Sequence, residues 1–143
     1  MRIAEILRRK GSGVVTVGPD VTVRGLLATL AHHNIGAVVV VSPEEGAIVG
    51  IASERDVVRG LHNSGPAVLG MAASTIMTAV VHTCTPQDDV ESLRSTMTEH
   101  RIRHLPVLDD GILAGIVSFG DVVKSAIDDL ETQNQHLVEY LQG

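Results

Sequence analysis

Aromatic residues are nearly absent from the sequence, which has one Phe, one Tyr and no Trp among its 143 residues. Because 44% of the residues are nevertheless hydrophobic, the core must be built from Val, Ile, Leu, Ala and Met. Aromatic rings are the usual stacking platform for single-stranded nucleic acid, so their scarcity argues against that class of ligand. The net charge is −6 and the only basic run is the short Arg8-Arg9-Lys10, which also argues against binding to a nucleic acid duplex.

Cysteine and long apolar runs are scarce as well. Cys84 is the only cysteine, which excludes an internal disulfide and suits a reducing compartment. We interpret it as a small buried residue rather than a nucleophile, because the sequence shows no base and orienting group for it. No apolar run approaches the roughly 20 residues of a membrane-spanning helix, and the first residues contain no signal-peptide core. We therefore expect a soluble, cytoplasmic protein.

Most of the sequence consists of an internal duplication. Val14–Val41 aligns with Val81–Leu108, and Gly46–Arg59 aligns with Gly111–Lys124, with sixteen identical residues among the forty-two aligned pairs. Self-similarity of this kind is the mark of a repeat architecture. Periodicity and turn residues predict the order β-α-β-β-α in each copy, preceded by an opening helix. The predicted fold class is α/β (α+β), with two small units that pack sheet to sheet.

The predicted elements follow from the same alignment. The opening helices are expected over Ile3–Arg9 and Ala72–Met77, the first extended pieces over Val14–Val17 and Val80–Cys84, and the next strands over Ala37–Val41 and Leu105–Leu108. The polar and glycine-containing segment His62–Leu69 is predicted to be the linker between the copies. The predicted domains are residues 1–64 for the first repeat with its opening helix, 65–125 for the second repeat, and 126–143 for a C-terminal helical tail.

The tail after Lys124 does not repeat. Ser125–Gln142 is a helix candidate whose Ile127, Leu130, Leu137 and Leu141 fall on one stripe, interrupted by Asn134. The spacing is that of a short coiled-coil seam, in which one polar residue can fix the register. With only two and a half heptads, the sequence leaves open whether this stripe packs against the protein's own body or against a second copy.

The strongest motif closes each copy: Gly-Ile-Ala-Ser-Glu-Arg-Asp from Gly50 to Asp56, and Gly-Ile-Val-Ser-Phe-Gly-Asp from Gly115 to Asp121. The glycines are expected to end a turn. The serines occupy the N-cap position of a helix, with the aspartates three residues later as in a capping box. A strand that runs directly into a capped helix leaves free backbone N–H groups and two polar side chains together, which suits a diol or a phosphate.

These paired units, each ending in Gly-apolar-apolar-Ser-x-x-Asp, resemble a tandem pair of CBS domains, also called a Bateman module. The resemblance extends from about Met1 to Lys124 and includes the segments Thr16–Asp20 and Glu99–Val107. The chain is similar to stand-alone bacterial CBS-pair proteins assigned to signal transduction. The resemblance implies a pseudo-two-fold axis and two clefts between the copies, which in that family commonly bind AMP, ADP, ATP, NAD(H) or S-adenosylmethionine.

The resemblance also implies roles for individual residues. Asp121 with Ser118, and Asp56 with Ser53, would hold a ribose, although the alternative is that these pairs only cap their helices. The phosphate contacts would be Arg103 and His104 in the second copy; the first copy has Gly36 and Ala37 there, so Arg55 would replace them. Backbone groups for the adenine edge would come from Val15, Thr16, Val81, His82 and Thr83, and walls from Ile35, Ile51, Ile102 and Ile116, which are core residues first.

Two further patterns are set aside. His100 and His104 have the spacing of zinc ligands on a helix, but a strand is expected from Leu105, and the residue before Pro106 avoids helical geometry. No metal site is therefore expected. Lys10-Gly11-Ser12-Gly13 lacks the frame of a phosphate-binding loop and is interpreted as a flexible connector.

Together with the residues, the resemblance implies a non-enzymatic sensor of adenine nucleotides. Ligand binding would act by population shift in a homodimer, with no required cofactor and no nucleic acid or membrane partner. An unidentified protein partner would read the change. The alternative is an interaction scaffold whose clefts are vestigial or filled by its own side chains.

Overall fold

The computed structural model describes residues 1–11, 13–79 and 82–142. In chain order, its helices and strands are α1 (Ile3–Lys10), β1 (Thr16–Val17), α2 (Val23–His33), β2 (Ala37–Val41), β3 (Ile48–Ser53), α3 (Glu54–Ser64), α4 (Val90–His100), β4 (His104–Asp109), β5 (Ile112–Ser118) and α5 (Phe119–Gln142). They form two compact units. The repeat-1 unit is Val14–His82, and the repeat-2 unit combines Met1–Gly13 with Thr83–Gly143.

The repeat-1 unit has the predicted β-α-β-β-α order. Its sheet has the strand order β1-β2-β3, in which β1 runs parallel to β2 and β2 runs antiparallel to β3. Helix α2 begins at the N-cap Thr22, whose side chain accepts a hydrogen bond from Gly25 N, and it ends at Asn34 in the left-handed conformation. Its apolar face, with Val23 and Leu26 fully buried, packs against the sheet as the helical spacing predicts.

The segment expected to be a linker in this unit is ordered instead. His62–Ser64 completes α3, and Gly65–Gly70 forms a short 3₁₀ helix. Val68 in that helix is only 1% exposed and belongs to the unit's hydrophobic core. The linker prediction is therefore wrong, because one buried valine anchors a segment whose glycine and proline content pointed to a loop.

The repeat-2 unit carries the same plan with a reduced first strand. Strands β4 and β5 form an antiparallel pair, and Cys84 contributes a single parallel bridge to Val107. The aligned residues of the first copy, Val17 and Val40, are paired in the same register. Burial, with a smaller contribution from Asp88, raises the pKa of the Cys84 thiol to about 12. Cys84 therefore lies in the core as expected and is protonated at neutral pH.

Each unit includes the opening segment that precedes the other repeat in the sequence. In the repeat-2 unit, Ile3 N donates to Asp88 O (2.9 Å) and Ala4 N donates to Pro86 O (2.8 Å). The same bonds recur in the repeat-1 unit, from Ala73 N to Val21 O (2.7 Å) and from Ser74 N to Pro19 O (3.1 Å). Helix α1 thus packs with the second repeat, although chain order assigned it to the first.

The second opening segment is not the helix predicted over Ala72–Met77. Only Ala73–Thr75 is helical, as a 3₁₀ turn, and the chain is extended again by Thr78, which bridges to Ile51. The backbone hydrogen bonds between Thr78 and Ile51 (2.8 and 2.9 Å) add an edge pairing to β3. This pairing competes with helix formation and ends the turn early.

Gly50 and Gly115 lie inside β3 and β5 rather than at the end of a turn, so that expectation is wrong. The reason for glycine is close contact with an opening segment. A Cβ on Gly50 would stand 2.7 Å from Met77 Sδ and 2.9 Å from Thr78 O, and a Cβ on Gly115 would stand 2.7 Å from Leu7 Cδ2. In each unit, therefore, the opening segment packs so closely against the strand that glycine is needed at this position.

Helix α5 is 24 residues long and leaves the body of its unit. Val122 and Ser125 are buried at its base, whereas Leu130, Leu137 and Leu141 are 65%, 56% and 73% exposed. The stripe therefore does not pack against the rest of the repeat-2 unit, although packing against the protein's own body was one of the two alternatives that the sequence left open. Among the described residues, no helix combines the length and the apolar character that crossing a bilayer requires.

The two glycines give a paired stability prediction. Gly50→Ala should lower the free energy of unfolding by about 1–3 kcal/mol, because the added methyl group meets a backbone oxygen that cannot move aside. Gly115→Ala should cost less, since the end of the Leu7 side chain can rotate away. Urea denaturation of both variants measures the difference, and equal losses would contradict the close-contact explanation.

Candidate functional site

The first strand–helix junction is a complete capping box. Ser53 ends β3, and its hydroxyl accepts a hydrogen bond from Asp56 N (3.3 Å). Asp56 Oδ2 in turn accepts from Ser53 N (2.9 Å) and from the Ser53 hydroxyl (3.0 Å). The carboxylate thus satisfies donors that the first turn of α3 would leave unpaired. The capping box predicted from the sequence is confirmed here.

The second oxygen of Asp56 is also occupied. Asp56 Oδ1 accepts from Arg59 Nη2 (3.2 Å) and from the Thr78 hydroxyl (3.1 Å). With two donors on each oxygen, the carboxylate has used the usual number of its acceptor sites. Asp56 is only 5% exposed. In this state its charge is directed at the protein's own groups.

A groove of about 350 Å³ lies beside Asp56 in the repeat-1 unit, a size within the usual range for small-molecule sites. The polar side of the groove is formed by Asp56, Arg59, Asn63, Ser64, Thr75 and Thr78, and the apolar side by Val68, Met71, Ile76 and Met77. The groove therefore adjoins the donors that now occupy Asp56 Oδ1.

The second junction repeats the capping box. Asp121 N donates to the Ser118 hydroxyl (3.1 Å), and Ser118 N donates to Asp121 Oδ2 (2.9 Å). The third partner is different: Lys10 Nζ donates to Asp121 Oδ2 (2.9 Å) and to Ile116 O (2.7 Å). Within the part of the chain that the structure describes, no donor reaches Asp121 Oδ1, and the side chain is 21% exposed.

These contacts set the ionisation of Asp121. Burial on its own would raise the pKa of this carboxyl. The hydrogen bonds from Lys10 and Ser118, together with the charge of Lys10, outweigh burial and hold the pKa below its ordinary value. Asp121 is therefore an ionised acceptor at neutral pH, and no described residue donates to its Oδ1.

Two of the three phosphate candidates lie next to the second junction. His104 is paired with Ser118 in the register of β4 and β5, and Arg103 O accepts a hydrogen bond from Phe119 N (2.8 Å). Arg103 is exposed and His104 is half-buried. The third candidate, Arg55, is exposed in the first turn of α3 at the other junction. Their proposed role in binding phosphate stays a prediction.

Two of the four wall candidates lie on the strands that lead into the junctions, and wall contact by any of the four stays a prediction. Ile51 and Ile116 are half-buried and lie two residues before Ser53 and Ser118, so each shares a strand face with its serine. Ile35 and Ile102 instead pack against the hydrophobic cores of their units.

The adenine-edge candidates are divided between the units. Val15, Thr16 and His82 belong to the repeat-1 unit and Thr83 to the repeat-2 unit. Val81 lies outside the described residues. Their contact with adenine also stays a prediction.

The histidines do not form a metal-binding helix face. His100 is the last residue of α4, Arg101 follows in the left-handed conformation (φ 55°), and His104 begins β4. The proposed break between the two imidazoles is confirmed. In residues 1–11, 13–79 and 82–142, no group of three or more His, Cys, Asp or Glu side chains could hold a metal ion.

Sequence reasoning missed the two residues that complete the junctions, Thr78 and Lys10. Both come from opening segments, but they do not occupy equivalent positions. Equivalent backbone hydrogen bonds align Ile3 with Ala73. In that alignment Thr78 corresponds to Arg8 and not to Lys10. The alignment of the repeats therefore gave no signal for them. The one local signal was a basic residue directly before Gly11, which we interpreted as a connector.

Comparison with known proteins gives a consistent result. The family model of the CBS domain matches residues 3–63 and 73–128. The mitochondrial CBS domain-containing protein CBSX3 of Arabidopsis thaliana is 34% identical over 148 residues, which cover 99% of this chain and 72% of that protein.

Solved structures agree with this match. The CBS-domain protein ATU1752 of Agrobacterium tumefaciens shares 44% identity and a TM-score of 0.83, over 88% of this chain and 99% of that one. The CBS domain protein PAE2072 of Pyrobaculum aerophilum, solved in complex with AMP, shares 27% identity and a TM-score of 0.75, over 85% and 89% of the two chains.

The Lys10–Asp121 pair predicts a pH-dependent contribution to stability. Because the pKa of Asp121 is lowered by folding, the pair stabilises the fold above the ordinary pKa of a carboxyl group and loses this effect as pH falls through the lowered value. Lys10→Gln should cost about 0.5–1 kcal/mol at neutral pH. Urea denaturation at a series of pH values should show this difference shrinking in acid, with Lys124→Gln as the control. A difference that is constant with pH would contradict the pairing.

Proposed function

The chain belongs to the CBS-domain family, and on that premise we propose that it is a non-enzymatic regulatory module that binds an adenosine-containing ligand at its strand–helix junctions. The observation that carries the proposal is the state of Asp121: ionised, partly exposed and held by a capping box with one oxygen free of the described donors. The AMP complex of the Pyrobaculum aerophilum protein, which has a similar fold, supports an adenine nucleotide as the ligand.

The chemistry of a ribose fits the second junction. A cis-diol offers two hydroxyl donors, and a carboxylate is the side chain that accepts both, as acidic residues do in dinucleotide-binding folds. Asp121 would accept the diol on Oδ1, with the Ser118 hydroxyl beside it as a further polar group. Ile116 on the same strand face would contact the apolar base or sugar. Arg103 and His104, which lie next to this junction, would contact a phosphate.

The first junction requires a rearrangement before it could bind a sugar. A diol at Asp56 would replace the hydrogen bonds from Thr78 and Arg59, which occupy Oδ1. The groove beside these residues gives the displaced side chains and a ligand somewhere to lie. We therefore propose the Asp121 junction as the primary site and the Asp56 junction, with Ser53 and Arg55, as a secondary site.

The proposed action is a population shift rather than a chemical step. A ligand can shift a conformational equilibrium only through contacts that differ between the two states. At both junctions the carboxylate is bound by a residue of an opening segment, Lys10 or Thr78. A ligand at Asp56 would displace Thr78, whereas a ligand at Asp121 would bind beside Lys10. A protein partner would read the resulting position of the opening segment.

A scaffold without a ligand is the second candidate function. It is favoured by the saturation of Asp56 with the protein's own donors.

AMP, ADP, ATP and NAD(H) are the ligands that we propose, with S-adenosylmethionine as the alternative. The latter occurs with 5′-methylthioadenosine in the CBS domain pair of MJ0100, a protein that shares the fold at 23% identity.

Removal of the proposed ribose acceptor should weaken every ribose-bearing ligand. We expect Asp121→Ala to cost about 1.5–3 kcal/mol of binding free energy, the range for hydrogen bonds to a charged group. Calorimetric titration with AMP, ATP, NADH and S-adenosylmethionine measures this loss. Asp129→Ala, on the exposed part of the same helix, is the matched control. No heat with any of the four ligands would leave the scaffold as the better description.

We also propose that the protein is a homodimer in which two α5 helices pair. The exposed residues Val123, Ile127, Leu130, Leu137 and Leu141 alternate in steps of four and three with Asn134, so they form a heptad seam. From Asp129 onward every described residue of the helix is exposed, and a lone segment of this length is only marginally stable in water. A second copy offers the same seam.

The residues of the seam also indicate its orientation. Ile127, Asn134 and Leu141 fall at the a positions, and Val123, Leu130 and Leu137 at the d positions. In parallel coiled coils, isoleucine at a with leucine at d favours two strands over three or four. In a parallel pair Asn134 faces its own copy and the two amides can bond to each other, whereas an antiparallel pair would place each Asn134 against a leucine.

Sedimentation equilibrium tests the seam. Leu130→Lys combined with Leu137→Lys should convert the dimer to a monomer, because two buried charges per helix would face each other. Glu139→Lys lies off the seam and should leave the dimer intact. Asn134→Cys should form an intermolecular disulfide only in the parallel arrangement, since Cys84 is buried. A native chain that stays monomeric at high concentration would contradict the proposal.

A further inference from the structure

Lys10 stands at an unexpected place in the repeat-2 unit. It is the last residue of α1, yet its ammonium group lies on the carboxylate of Asp121 (2.9 Å) and on the carbonyl oxygen of Ile116 (2.7 Å). An ammonium group has three N–H donors, and these two bonds use two of them. No acceptor among the described residues takes the third, and the Lys10 side chain is 36% exposed.

In the first repeat, a residue of the following helix places the positive charge beside the aspartate. There, Arg59 is three residues after Asp56 and donates to its Oδ1 (3.2 Å). The aligned residue of the second repeat is Lys124, which makes no hydrogen bond or ion pair with Asp121 within the described part of the chain. The cation of the second junction therefore comes from the opening segment and not from the helix that carries the aspartate.

We propose that Lys10 determines the charge of the ligand at the Asp121 junction, so that this site selects an anionic ribonucleotide over an uncharged nucleoside. The proposal rests on the proposed function, since it concerns the same site. A nucleotide brings its phosphate close to the carboxylate that holds its ribose, and two like charges at that distance repel each other. Lys10 offsets this repulsion because it is already bound to the carboxylate.

The bonds of Lys10 explain why the selection acts on charge and not on the sugar. Once the ribose hydroxyls donate to Asp121, the carboxylate is satisfied by neutral donors, and the ammonium can direct its remaining N–H group to a phosphate oxygen. A nucleoside gives the same hydroxyl donors but no anion, so it gains nothing from Lys10. The bond to Ile116 O keeps the ammonium at the junction in both cases.

Site-resolved titration tests the inference. Amide shifts of Ser118 and Gly120 report dissociation constants at this junction separately from Ser53 at the other one. AMP and adenosine are titrated into the native protein and into Lys10→Gln, Lys10→Arg and Lys124→Gln. We expect Lys10→Gln to weaken AMP about tenfold or more and to change adenosine by less than about threefold. Lys10→Arg should restore the preference, and Lys124→Gln should leave it unchanged.

The other outcomes separate the two proposals. Equal losses for AMP and adenosine in Lys10→Gln, an unchanged AMP constant, or an equal effect of Lys124→Gln would overturn the role of Lys10 and leave the nucleotide site in place. Shifts at neither Ser118 nor Ser53 with either ligand would overturn the proposed function itself, and this inference with it. Thermal unfolding of each variant verifies that the fold is intact.

Discussion

The carboxylate at the start of a helix is the group on which the rest of this structure depends. In each repeat a strand runs directly into a helix, and one aspartate accepts the backbone N–H of the serine at the turn. Without that acceptor the junction would bury unpaired donors, so the carboxyl group must stay in place. The same charge then needs a partner of its own. Asp56 is partnered by Thr78 and Arg59, whereas Asp121 is partnered by Lys10.

These different partners give the two repeats different chemistry although their sequences are similar. Asp56 is enclosed and has two donors on each oxygen, whereas no described residue donates to Asp121 Oδ1. A ligand at Asp56 must break existing bonds before it forms its own, and a ligand at Asp121 need not. Duplication therefore supplied the same acceptor twice, and the residues around it decide how easily each copy can exchange its partner for a ligand.

The sequence predicted what the duplication repeats and failed where the two copies differ. The strand order, the buried faces of α2 and α4, and the capping boxes at Ser53 and Ser118 follow from periodicity and aligned motifs, and all are present. The packing of each opening segment with the other repeat was not predictable, because it depends on contacts between residues far apart in sequence. For the same reason Gly50 and Gly115 were mistaken for turn residues. Lys10 was missed because it has no aligned counterpart at the other junction.

The opening segments link each candidate ligand site to the other repeat through the polypeptide chain. Lys10 is followed by Gly11 and Gly13, whose φ angles of 91° and 106° are open to few other residues. The chain then enters β1 of the first repeat. Five residues separate Lys10 from Thr16, where β1 begins. Thr78 likewise precedes the residues that lead to Cys84. A contact that a ligand changes at one repeat's aspartate therefore lies on a segment that continues directly into the other repeat.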